Sequence, residues 1–212
     1  SDYQKAISEA FTSVLKYSDV NYSEYLSGTE WLYEEIINKY LKALVKWDQR
    51  NCPYVYMGHE VEAEAAFEDS RIRFYSRLDR LEEKDGIMIL SDYKASDLKG
   101  MEMNAGNGFD FGARKRNYVF QMYFYHYILQ KRFGKPVVTR LIALNKLTAE
   151  EFDPVQNDPA DTGEMEVFTT MLRKITDELF SPDIPFTQTQ EEKLCRFCNY
   201  KAICNRQETE EY

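Results

Sequence analysis

The chain has 212 residues, 43% of them hydrophobic and 30% charged, so it can bury a substantial core and disorder is not its default. Its 36 acidic against 27 basic residues leave a formal charge of −9, which argues against non-specific adhesion to nucleic acid. Any phosphate contact must then come from a local basic cluster or from a larger assembly. No run approaches the roughly 18 apolar residues of a membrane span and no signal peptide opens the chain, which points to the cytoplasm. The bare Ser1-Asp2 start points to a fragment of a longer polypeptide.

In chain order, Ala6, Ala10, Phe11, Val14 and Leu15 predict a helix over 2–17. Ser27 and Glu30 form a capping-box pattern, and Leu32, Ile36, Tyr40 and Leu44 then make one apolar stripe. Both helices are expected to supply core surface. From Tyr54 the period shifts toward two, predicting strands over 54–67 and 71–82. In the second, Ile72, Phe74, Ser76 and Leu78 are expected to face away from Arg73, Tyr75, Arg77 and Asp79. Asp85-Gly86 is a hairpin turn signal, and Ile87-Met88-Ile89-Leu90 reads as a strand buried on both faces.

Residues 97–113 carry Gly and Asn with little periodicity and read as a mobile loop. A helix is expected over 114–132, ending at Gly134, then a strand over 136–144. The acidic stretch 150–164 reads as loop, and 164–180 as helix. No internal repeat is present. The plan is mixed α/β.

The hairpin permits a geometric deduction. If Asp85 and Gly86 are the two loop residues, Lys84 pairs with Ile87 and paired positions sum to 171. Asp79 then opposes Asp92, where like charges are destabilising, and period two puts Lys94 on the face of Asp92, opposite Arg77. A divalent cation relieves such repulsion, since Mg²⁺ takes one or two carboxylates plus waters and phosphate oxygens. The alternative is a strand end carrying ordinary surface ion pairs.

The order Arg77-Leu78-Asp79-Arg80, turn, Ser91-Asp92-Tyr93-Lys94 resembles the G-x-x-D-R…D-Y-K signature of RecB-like nucleases of the PD-(D/E)XK superfamily, with Ser76 at the usual glycine position. The resemblance implies a restriction-endonuclease-like mixed β-sheet core flanked by helices. It also implies that Asp79, Asp92 and the Tyr93 carbonyl hold Mg²⁺ or Mn²⁺ and that Lys94 serves the attacking water. Gln121-Met-Tyr-Phe-Tyr125 is similar to the family's Q-x-x-x-Y, whose two residues share a helix face and position substrate. Glu64-Ala-Ala-Phe67 fits a family E-x-x-F pattern. The family's upstream His or Glu has no clear counterpart; Glu30, Glu34, Glu35 and His59 are the candidates within the chain.

Cys195, Cys198 and Cys204 form C-x2-C-x5-C, which in a cytosolic chain reads as metal or iron–sulfur ligation rather than disulfides. The spacing resembles the iron–sulfur staple of AddB-type and CRISPR-associated RecB-like nucleases, which implies a [4Fe–4S] cluster with a fourth cysteine upstream, for which Cys52 is the candidate. Structural zinc is the alternative. The expected organisation is an N-terminal helical segment 1–50, a nuclease core 51–190 and a cysteine-rich tail 191–212. Lys99, Arg114, Lys115 and Arg116 are the candidate DNA-backbone contacts.

The function this implies is metal-dependent DNA hydrolysis, of exonuclease type, in repair or recombination beside a helicase domain or subunit. The rivals are a CRISPR-associated nuclease and a catalytically silent DNA-binding or scaffolding module.

Overall fold

The computed structural model describes residues 5–6, 9–10, 28–68, 72–104, 114–147, 152–158, 162–190, 195 and 198–206. The elements are α1 (Gly28–Asn51), β1 (Val55–Ala66), β2 (Arg73–Lys84), β3 (Ile87–Lys94), α2 (Arg114–Phe133), β4 (Val137–Ala143), a 3₁₀ turn (Leu144–Lys146), β5 (Val155–Gln156) and α3 (Thr162–Phe180). One five-stranded sheet runs β1-β2-β3-β4-β5. Only β3 and β4 are parallel, because α2 carries the chain back between them; the other neighbours are antiparallel. This is the expected mixed sheet flanked by helices.

The Asp85-Gly86 turn has positive φ at both residues, 53° and 80°, the type I′ geometry that matches strand twist. It sets Lys84 opposite Ile87, and the ladder then runs in strict register to Arg80 opposite Ser91. Gly134, at φ 63°, ends α2 in the left-handed conformation that only glycine adopts cheaply.

The two sheet faces are covered differently. On one, α2 packs Val119, Met122, Tyr123, Ile128 and Leu129 onto Leu81, Leu90 and Leu141, and Phe168 of α3 meets the rings of Phe120 and Tyr123 from outside. On the other, α1 contributes Ala43, Leu44 and Trp47 against Ile142 and Leu147, with Phe152 edge-on to Trp47. Leu141 and Ile142 are neighbours in β4, so strand alternation separates these two clusters.

Several expectations are corrected. Among the described residues, only the C-terminal half of α1 feeds a core; Leu32, in the predicted apolar stripe, is 51% exposed. Ser27 and most of the predicted 2–17 helix lie outside the described residues. The start of the predicted loop at 97–113 is anchored, because Leu98 and Met101 are buried across a turn closed by the Met101 N–H to the Leu98 carbonyl. The predicted loop at 150–164 holds β5 and the buried Asn157, whose side-chain oxygen accepts the Thr139 N–H at 2.6 Å. A two-residue strand is too short to leave a periodicity in the sequence.

Candidate active site

Alternation along β2 holds from Phe74, whose ring meets Phe124 of α2, to Leu78 in the same core. Two residues on, Arg80 would share that face, yet it bonds Asp48 of α1 on the other side. The strand therefore changes face across Asp79. In β1, Glu60 falls between the His59–Arg80 and Val61–Leu78 pairs, opposite this point, and has a φ of 49°. A left-handed residue of this kind locally turns a strand. Simple alternation would group Asp79 with Arg73, Tyr75 and Arg77; in the structure it is turned instead to the side covered by α2.

The β2–β3 ladder stops at Arg80–Ser91. One step beyond, where Asp79 would oppose Asp92, the strands part. The Tyr93 N–H, which a continuing ladder could have engaged, donates to Asp79 Oδ2 at 3.0 Å. β3 keeps its parallel partner as far as Lys94 opposite Ala143, so it leaves β2 without fraying. The expected opposition of Lys94 and Arg77 does not occur: Arg77 pairs with Glu62 across the β1–β2 ladder and ion-pairs with Glu60.

Into this opening project Asp79, Asp92 and Lys94. Asp92 is 2% exposed and faces the α2 side with Leu90 and Leu141. Burial raises its carboxyl pKa, the Lys94 ammonium opposes that rise, and the neighbouring Asp79 charge adds to it. The Lys94 nitrogen lies 2.6 Å from Asp92 Oδ2, but off the line of a hydrogen bond, so that buried oxygen has no well-aligned partner. Lys94 Nζ also donates to Gln121 Oε1 at 3.1 Å and sits 4.7 Å from the centre of the Tyr118 ring. Gln121 Nε2 donates in turn to the Tyr125 hydroxyl at 2.7 Å. Burial raises the Tyr125 pKa, Gln121 opposes that rise, and the charges of Asp92, Asp79 and Glu60 add to it.

The residues fit a hard divalent cation. Asp92 keeps a buried oxygen without an aligned donor, one Asp79 oxygen is taken by main chain, and all ligating atoms on offer are oxygens. Among the described residues no three His, Cys, Asp or Glu side chains converge on one point. A pair suffices for Mg²⁺, whose remaining positions go to water and phosphate.

Of the other predicted site residues, Glu64 lies opposite Tyr75 in ion pairing with Arg73, four residues and roughly 13 Å along the strand from Asp79. His59 is exposed and bonded through Nδ1 to the Tyr56 hydroxyl at 2.7 Å. Glu34 and Glu35 precede Trp47 by 13 and 12 residues, roughly 18–20 Å along α1; the side chain of Glu30 lies outside the described residues. Arg114, Lys115 and Arg116 open α2 with side chains outside the described residues, and the Lys99 N–H is held by Asp97 Oδ1. Cys52 is exposed just past α1, and Cys195, Cys198 and Cys204 are partly buried in a series of turns. The Tyr200 N–H reaches Cys198 Sγ at 3.4 Å, but the described cysteines do not assemble a ligand set, so the iron–sulfur expectation finds no support in their arrangement.

Sequence reasoning missed Glu60 and, on the α1 side, a buried charge network. Arg80 donates to Asp48 at 2.8 Å, to the Tyr54 hydroxyl at 2.8 Å and to the Tyr93 hydroxyl at 3.2 Å. Glu82, 2% exposed, ion-pairs with Arg80 and takes Arg140 Nη2 at 2.8 Å. Arg140 in the middle of Val137–Ala143 was the available signal, because a charge inside an apolar strand demands a buried partner.

Residues 1–205 match the family model described as the PD-(D/E)XK nuclease superfamily, and the chain belongs to that superfamily. Membership implies nuclease chemistry in general, with DNA as the substrate class and divalent metals as the usual cofactors. The chain is also similar to a solved protein titled "Crystal structure of SSO0001", at 16% identity over 94% of this chain and 81% of that one, with a TM-score of 0.38. Comparison with the curated proteins gives no match. No described helix is long and apolar enough to cross a membrane.

Proposed function

We propose that the chain hydrolyses DNA phosphodiester bonds with Asp79 and Asp92 as ligands of Mg²⁺ or Mn²⁺, the Tyr93 carbonyl assisting, and Lys94 as the group beside the attacking water. The observation that carries this reading is the buried Asp92 carboxylate, with the partly buried Asp79 beside it and the Lys94 ammonium against it, where β2 and β3 part. A bound divalent ion would supply Lewis-acid stabilisation of the phosphoryl charge. The chain's own groups do the rest. Lys94 is held by Gln121 with its ammonium against Asp92, which fixes a positive charge where negative charge develops on the phosphate. Because Gln121 Nε2 donates to Tyr125, the phenol keeps its own proton for a phosphate or water oxygen. The apolar wall of Leu90, Leu141 and α2 limits water and strengthens these charges.

The motif order supports a RecB-like subtype and exonuclease action in repair or recombination, with 51–190 as the nuclease core between a helical segment (1–50) and the cysteine-rich tail (191–212). Lys99 and the basic start of α2 are its DNA-backbone contacts, and a cytoplasmic helicase domain or subunit its partner. The test is digestion of linear and circular DNA with Mg²⁺ or Mn²⁺, comparing wild type with Asp79→Ala and Lys94→Ala. Loss of cleavage in both variants is expected. Equal cleavage by either variant would refute the assignment, and cleavage of circular DNA would refute the exonuclease character.

A further inference from the structure

We propose that Tyr93 is a positioning residue for the carboxylate pair, clamped at its two ends by adjacent residues of β2, with the buried charge network on the α1 side as the anchor of the clamp. Asp79 and Arg80 are neighbours that leave β2 on opposite faces, and Tyr93 bridges them. Its main-chain N–H goes to Asp79 Oδ2 at 3.0 Å, and its hydroxyl accepts from Arg80 Nη1 at 3.2 Å. The first bond fixes the rotation of the Asp79 carboxylate and directs the other oxygen elsewhere. The second fixes Tyr93 and, through it, the point where β3 leaves β2.

Arg80 is a stiff anchor. The same guanidinium is tied to Asp48 of α1, Tyr54 and Glu82, and Glu82 is tied to Arg140, whose Nε donates to Ser91 Oγ at 2.6 Å and whose guanidinium lies 4.5 Å from the Trp47 ring. Burial alone would lower the Arg80 pKa; the bonds to Asp48 and Tyr93 and the charge of Glu82 outweigh it and raise it, so the cation is permanent.

Such networks are poor stabilisers, since well-packed apolar groups of the same volume often do as well. Here Asp48 Oδ1 and Arg80 Nε are buried without a hydrogen-bond partner, so stability alone does not account for the arrangement. What it does provide is a single position for Tyr93. Partners that orient metal ligands typically change metal affinity 10–100-fold when removed. The effect on a cation rests on the function proposed above; the clamp itself does not.

The test uses the Tyr93→Phe variant of the full chain, which deletes one oxygen and keeps the ring. Hydrogen exchange is read at the amide of position 93, and Mn²⁺ affinity is read by calorimetry. Leu172→Ala, a cavity in the α3 core, serves as a control that lowers stability without touching the clamp. The expected result is about tenfold faster exchange at position 93 with β3–β4 ladder amides still protected, and about tenfold weaker Mn²⁺ binding. The control should lower Tm and leave both local readouts alone. The clamp is overturned if exchange at position 93 is unchanged or if Leu172→Ala reproduces the change. Its positioning role is overturned if exchange rises while Mn²⁺ affinity stays within twofold. Failure of the wild type to bind Mn²⁺ would instead sink the proposed function, and exchange would then decide the clamp by itself.

Discussion

The two faces of β2 and β3 carry acidic residues from the same short stretch of chain and treat them in opposite ways. On the α1 side, Asp48 and Glu82 give −2 and Arg80 and Arg140 give +2, a sum of zero, with ion pairs joining them. On the α2 side, Asp79 and Asp92 give −2 against the +1 of Lys94, leaving −1. Matched charge makes a rigid joint, whereas an unmatched buried charge makes a place for something not encoded by the chain. The face an acid takes, once β2 has turned across Asp79, decides which of these it becomes.

The comparison breaks first at Glu82. Glu82→Gln leaves two buried guanidiniums without their shared anion and should cost about 3–5 kcal/mol of stability in a urea titration. A loss under about 1 kcal/mol would mean that the α1-side network is not matched in the sense argued. Asp92→Asn should do the reverse, lowering Mg²⁺-dependent cleavage by roughly a hundredfold or more while leaving stability equal or higher, because it removes a desolvated like charge. A destabilised and still active Asp92→Asn protein would erase the distinction between the faces.

His126 offers a sharper contrast on α2. It is buried, bonded through Nδ1 to Asn157, and burial pushes its pKa down to about 4. The unfolded chain takes up this proton near pH 6.5 and the folded chain only near 4, so the stability it contributes is complete above 6.5. About 3 kcal/mol is then lost as pH falls through that window. Unfolding at pH 7 and pH 4 should show this difference between wild type and His126→Gln. A variant with the same pH dependence as wild type would show that the imidazole is not the group responsible. The smallest effect is expected at the turn. Gly86 has φ 80° and nothing lies within 4 Å of the place a methyl would occupy, so Gly86→Ala should cost about 1–2 kcal/mol of backbone strain alone, read as a shift in Tm.

Much of this was legible in the residues, and for identifiable reasons. The Asp-Gly turn fixes register locally, so the ladder from Lys84–Ile87 to Arg80–Ser91 followed from counting, while the Asp79–Asp92 opposition given by the same count falls one step past the end of that ladder. The contact between Gln121 and Tyr125 followed from helical spacing. The parting of β2 and β3 was not legible, because it depends on β4 holding β3 from the other side, a contact some fifty residues away in sequence. Arg80 was read as part of a motif and its opposite-facing network was missed, since its partners Asp48, Glu82 and Arg140 come from three separate elements. Glu64 looked apt from its spacing, but its place in the β1–β2 ladder carries it away from the opening.

The parallel pairing of β3 with β4 has one more consequence. Since Met88 to Lys94 is paired throughout with Val137 to Ala143, the β3 side of the gap beside Asp92 is held by ladder pairing along its whole length, apart from the connections that flank β4. Those connections can therefore lengthen, shorten or change sequence during evolution, altering what polymer reaches the gap, while the chemistry inside it stays put.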